Sequence, residues 1–201
     1  MSLARESDHA SRMAARKEAR TRLMAGKTGE KGLILVHTGA GKGKSTAAFG
    51  MILRAIGHGL PVALVQFVKG AWNSGERMVL ERFPDQVDVF VEGEGFTWET
   101  QNRARDEAAA AAGWQTAARV LATPRYRLVV LDELNIVLRN GTLPLEPVLE
   151  ALARRPEGQH VVITGRDAPV DLLAAADLVT EMKLIRHPFK AGIRAQAGIE
   201  F

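Results

Sequence analysis

An apolar, β-branched run, Leu33-Ile34-Leu35-Val36, leads straight into a glycine-dense stretch, Thr38-Gly39-Ala40-Gly41-Lys42-Gly43-Lys44-Ser45. Thr46–Ile56 follows, built of good helix formers with Gly50 its only glycine. Buried strand, glycine-rich loop, Gly-Lys-Ser and helix, in that order, form the pattern of a phosphate-binding loop in its proper setting. A backbone that wraps an anion must reach positive φ and come close without a Cβ in the way, which is why glycine recurs. Its N–H groups then point inward and add to the positive end of the following helix. Within that pattern Gly39–Ser45 and Thr46 are the candidate nucleotide contacts, Lys44 neutralises phosphate oxygens, and the Ser45 hydroxyl is placed to complete the shell of a Mg²⁺ ion. The pattern's first glycine position holds Thr38, which must make the turn without positive φ.

With 201 residues, 46% of them hydrophobic, the chain can bury the core of one α/β domain and is too short for a multidomain motor. It has no cysteine, so disulfides, thiolate nucleophiles and Cys-ligated metals are excluded. The N-terminus is polar and charged, and no apolar run nears the roughly 20 residues that cross a bilayer, so a cytoplasmic location away from membranes is expected. The formal net charge is +4. All of that excess falls in residues 1–31, and residues 32–201 are balanced, which weakens any nucleic-acid reading based on basicity.

Taken in order, residues 1–31 read as a basic N-terminal arm. Ala4–Ala25 can form a helix, but its apolar stripe is too thin to bury alone. It is either a disordered tail or a lid that orders over a ligand or partner subunit. From Gly32, strands are expected at Leu33–Val36, Pro61–Val68, Val87–Val91, Arg127–Leu131, His160–Thr164 and Asp177–Ile185. Between them, helices are expected at Thr46–Ile56, within Lys69–Arg82, and at Gln101–Ala122, Leu143–Arg154 (with Pro144 in its first turn) and Val170–Ala176. Such alternation gives a P-loop, RecA-like α/β fold, a parallel sheet with helices on both faces in one domain over 32–201. Ligands then sit at the carboxyl ends of the strands, where Thr38–Ser45, Gln66–Gly70, Asp132–Asn135 and Gly165–Asp167 should gather. Asp132-Glu133, ending an apolar strand, are the candidate metal-holding acids. Arg54 and Arg166 are expected near the nucleotide. Phe96 and Trp98 stand in an acidic, glycine-rich loop with no helix or strand period to bury them.

A phosphate loop does not name a reaction. A small kinase, a RecA-like ATPase acting on nucleic acid or protein, a group transferase using ATP as alkyl donor and a non-catalytic carrier all remain open. Kinases carry an arginine-rich lid after the loop, and no such cluster follows it here.

The segments HTGAGKGKSTAAFG, RAIGHG, VQFVKG, GFTWETQN, VVLDELN, VITGR and FKAGIRAQAGIEF occur in this order. In them the chain resembles the P-loop type of cob(I)alamin (ATP:corrinoid) adenosyltransferase, over nearly everything from Gly32 to Phe201. The resemblance implies transfer of the 5′-deoxyadenosyl group of ATP to the Co(I) of a reduced corrinoid, with triphosphate leaving. It implies that ATP lies in the loop in a reversed sense that opens C5′ to the corrin. It implies roles for Lys44 and Glu133 in catalysis, and Mg²⁺ (or Mn²⁺) held by Ser45 and Glu133 with Asp132 in support. Phe96 and Trp98 match the family's aromatic pair, which excludes the lower axial ligand of cobalt and eases reduction of Co(II). An electron donor such as a flavoprotein and a homodimeric state are further implications.

Overall fold

In the computed structural model, residues 2–68, 74–92 and 103–200 are described. The chain divides into two compact units, Met1–Lys31 and Gly32–Phe201. The first is one helix, α1 (Ser2–Ala25), whose side chains from Asp8 onward are all exposed, Met13, Leu23 and Met24 included. It is held by one-turn pairs: Arg12 with Asp8, Arg22 Nη2 donating to Glu18 Oε1 (2.6 Å), and Thr21 Oγ1 donating to the Lys17 carbonyl (2.9 Å). Such pairs offset the lack of a buried face only in part.

The second unit runs β1 (Ile34–Thr38), α2 (Lys44–Gly57), β2 (Val62–Gln66), α3 (Gly75–Leu80), β3 (Val87–Val91), α4 (Arg103–Leu121), β4 (Leu128–Asp132), α5 (Leu134–Arg139), α6 (Glu146–Arg154), β5 (His160–Thr164), α7 (Val170–Ala175), β6 (Leu178–Glu181) and a 3-10 turn at Pro188–Ala191. The six strands form one sheet in the order β3-β2-β4-β5-β1-β6, and every pairing is parallel. Successive residues of a strand face opposite ways, so the apolar runs feed two cores at once. Ile34, Val36, Val65, Leu131 and Ile163 pack under α4, α5, α6 and α7. Leu35, Leu64, Val130 and Val162 pack under α2 and Leu80 of α3. Crossovers from β1 to β2 and from β2 to β3 run one way along the sheet over the α2 face. Those from β3 onward run back over the other, as a single handedness of crossover requires. Neighbours β1 and β5 thereby send their connections to opposite faces, opening a crevice at their carboxyl ends.

Several boundaries differ from expectation for identifiable reasons. The helix after the loop starts at Lys44, placing Lys44 and Ser45 in its first turn. The helix after residue 143 begins at Glu146 with Pro147, not Pro144, in its first turn. Leu143 and Pro144 lie ahead of the helix, and Leu145 is its N-cap. The last strand stops at Glu181, and Met182 turns onto the phosphate loop.

Candidate active site

The loop hangs between β1 and α2. Thr38 ends β1 without positive φ, and the left-handed turn falls one residue later, at Gly39 (φ 95°). A Cβ on Gly39 would lie 2.5 Å from the Met182 carbonyl oxygen, and one on Gly41 2.7 Å from it. Gly41 N–H donates to that oxygen at 2.6 Å, and Met182 N–H donates to the Thr38 carbonyl at 2.8 Å. The outer rim of the loop is thus strapped to the chain leaving β6. Thr38 does more than tolerate its position, since its hydroxyl accepts from Ala168 N–H (3.1 Å) and ties the β5 exit to the β1 exit. Lys44 is 6% exposed, and its Nζ donates to the carbonyls of Gly39 (2.8 Å) and Gly41 (2.5 Å). Burial lowers its pKa, against the pull of the Glu133 carboxylate and with the push of Arg166 and Lys42. Gly43 has no side chain to cap α2, so among the described residues no N-cap side chain bonds the first-turn N–H groups, as an anion site needs.

Opposite stand the acids. Asp132 is the last residue of β4, in register with Gln66 of β2. Both its carboxylate oxygens are taken: Thr164 Oγ1 donates to Oδ1 (2.7 Å) and Gln66 Nε2 to Oδ2 (3.2 Å). Glu133 occupies the left-handed region (φ 62°) ahead of α5, with its N–H donating to Thr164 Oγ1 (2.9 Å). Its Oε2 is buried with no hydrogen-bond partner among the described residues. Burial first, then the neighbouring Asp132 charge, push the Glu133 carboxyl up to about 7, although Lys44, Arg166 and Arg139 draw it down. A buried carboxylate oxygen left open beside a Ser-capable loop is what a hard cation such as Mg²⁺ would satisfy, so the donor set fits that ion.

A family model described as ATP:corrinoid adenosyltransferase BtuR/CobO/CobP matches residues 30–201. The corrinoid adenosyltransferase of Pseudomonas aeruginosa is 54% identical over 96% of this chain and 95% of its own length. The corrinoid adenosyltransferase CobA of Salmonella typhimurium is 52% identical over 86% of this chain and 87% of its own. The chain belongs to the ATP:corrinoid adenosyltransferase family. Its reaction is the transfer of the adenosyl group of ATP to a corrinoid in cobalamin biosynthesis. Among solved structures, the flagellar accessory protein FlaH from Methanocaldococcus jannaschii shares the fold, with a TM-score of 0.51 and 9% identity over 78% of this chain and 73% of that one.

Within this adenosyltransferase the structure gathers most of the expected residues. Gly39, Ala40, Gly41, Lys42, Gly43, Lys44 and Ser45 form the loop and the start of α2, with Thr46 exposed in its first turn. Arg166, exposed just past β5, lies close enough to influence both Lys44 and Glu133. Arg54 does not join them. It is exposed in the last turn of α2, and ten residues of helix carry it about 15 Å from Lys44. Phe96 and Trp98 lie outside the described residues. The tail motif gains a physical role: Glu200 forms an ion pair with Lys42 of the loop, which holds the Glu200 carboxyl below its ordinary range. Gln66 and Asn135 entered the sequence reading only as bounds of segments expected at the carboxyl ends of the strands, and Thr164 was not singled out. The available signal was a polar residue closing an apolar strand, as in VALVQ and HVVIT.

Proposed function

We propose that the loop holds the triphosphate of ATP and that the Co(I) of a reduced corrinoid attacks C5′ of the ribose. The cobalt electron pair forms the Co–C5′ bond, the C5′–O5′ bond breaks, and its pair leaves on the triphosphate. Co(I) is the nucleophile, so no side chain has to be activated to strike carbon. What the protein contributes is placement in line and stabilisation of the charge that builds on the departing oxygen. The observation that carries this reading is the joint presentation of Lys44, uncapped α2 amides and the open Glu133 oxygen at one sheet edge.

Lys44, now bonded to loop carbonyls, is the cation that would turn to phosphate oxygens, and Lys42 adds a second. Ser45 and Glu133 would hold Mg²⁺, or Mn²⁺ in its place, with Asp132 in support. When bound, that ion would neutralise charge on the triphosphate. Arg166, close enough to influence Lys44 and Glu133, would add positive charge there. Phe96 and Trp98 would serve the corrin side in the manner the family resemblance implies. Residues 1–31 would act as an arm closing over the corrinoid. A flavoprotein-type electron donor, a homodimer and a cytoplasmic setting complete the proposal. The balanced charge of residues 32–201 favours small-molecule substrates over nucleic acid, and no helix among the described residues is long and apolar enough to cross a membrane.

The test is an absorbance assay with chemically reduced cobalamin, ATP and Mg²⁺. A light-sensitive adenosylated corrinoid is the expected product. Consumption of ATP with no alkylated corrinoid would overturn the reading.

A further inference from the structure

Thr164 is completely buried at the carboxyl end of β5, the strand that lies between the loop strand β1 and the acid strand β4. It is paired in register with His37 on one side, while across the other side its hydroxyl reaches β4. A threonine hydroxyl has one proton to give and two lone pairs with which to accept. Here the proton is given to Asp132 Oδ1 at 2.7 Å, and a lone pair receives Glu133 N–H at 2.9 Å. One oxygen therefore fixes the carboxylate plane of Asp132 and the backbone of Glu133 at once. Glu133 needs that support, because a non-glycine residue at φ 62° is held in a sparsely populated region. Nothing of the hydroxyl's donor capacity is left for a nucleotide.

We infer that Thr164 is a positioning residue of the adenosyltransferase: it orients the Asp132–Glu133 pair toward the metal that accompanies the triphosphate, and it does not touch the nucleotide. Gln66 Nε2, donating to Asp132 Oδ2 at 3.2 Å, is the weaker second support of the same carboxylate. The inference rests on the reading that Glu133 holds a divalent cation. Groups that orient metal ligands commonly change metal affinity by about 10–100-fold when removed.

The experiment titrates ATP into the full chain by calorimetry with and without Mg²⁺, and follows direct Mn²⁺ binding by electron paramagnetic resonance. Thr164→Val keeps the shape and removes both hydrogen bonds. It should raise the half-saturating Mg²⁺ concentration for nucleotide binding, and weaken Mn²⁺ binding, by at least about 10-fold. Metal-free ATP affinity should stay within about threefold, and Thr164→Ser, which restores the hydroxyl, should return metal dependence to near wild type. Should Thr164→Val not fold, Gln66→Met at a half-buried strand end carries the test, with a smaller shift in the same direction. The inference is overturned by unchanged metal dependence in Thr164→Val (or, in its place, Gln66→Met), by Thr164→Ser shifting as far as valine, or by equal loss of metal-free binding. If wild-type nucleotide binding itself ignores Mg²⁺ and Mn²⁺, the metal reading of Glu133 fails and the inference falls with it. Metal dependence in the wild type with none lost in the variants isolates the failure to Thr164.

Discussion

Glu133→Gln gives the sharpest stability test of the site. The carboxyl has an ordinary value of 4.5 and is pushed up to about 7 in the fold, by burial first and then by Asp132. Between those values the folded chain binds a proton that the unfolded chain has lost. Stability from this group is therefore fully present below pH 4.5 and disappears as pH rises through 7. At 1.36 kcal/mol per pKa unit the total is about 3 kcal/mol, of which about 2.5 is lost between pH 5 and 8. Glutamine cannot ionise, so the variant lacks this slope. For a chain of this size, 1 kcal/mol corresponds to roughly 2–4 °C in Tm. Thermal melts of the metal-free protein should show Glu133→Gln gaining about 5–10 °C on wild type between pH 5 and 8, with all other titrations cancelling in the difference. Saturating Mg²⁺ should abolish that gain by favouring the ionised wild-type carboxylate. A difference in Tm that stays flat with pH would refute the buried, unpaired state of Glu133.

Lys44→Ala removes the cation that spans the loop and should lower turnover about 10²–10³-fold, or roughly 3–4 kcal/mol, in single-turnover adenosylation; wild-type rates would show that the triphosphate lies elsewhere. Gly41→Ala forces a Cβ to within 2.7 Å of the Met182 carbonyl oxygen, and should cost about 1–3 kcal/mol in thermal unfolding together with most ATP affinity. Deleting residues 1–28 should weaken corrinoid binding, measured by absorbance titration, and leave ATP binding intact; unchanged corrinoid affinity and turnover would remove the lid role. Trp98→Ala should spare ATP binding while slowing Co(II) reduction in stopped-flow traces, and equal damage to both would mark it as a packing residue.

The sheet was legible because each central strand is a short apolar run whose two faces are both covered, so burial alone marks Ile34–Val36, Leu128–Leu131 and Val161–Ile163. The six-residue helix Leu134–Arg139 was not, since it starts directly at the strained Glu133, with no linker to set it apart from β4. The strand at Leu178–Glu181 was drawn too long because its end is fixed by the Met182 contact with Gly41, a partner 141 positions away in the chain. At the site, Lys44 and the Asp132-Glu133 pair could be read from local pattern. Which acid is free for a cation could not: that depends on Thr164 and Gln66 consuming both oxygens of Asp132, a matter of register between three strands.

Phosphorus NMR of the completed reaction, with the adenosylated corrinoid quantified by its absorbance, is the most direct measurement of attack at C5′. One inorganic triphosphate per adenosylated corrinoid, with no ADP or orthophosphate formed in proportion to it, is the expected result. ADP or orthophosphate accumulating in step with turnover would mean that a phosphorus atom, and not C5′, is the electrophile in this loop.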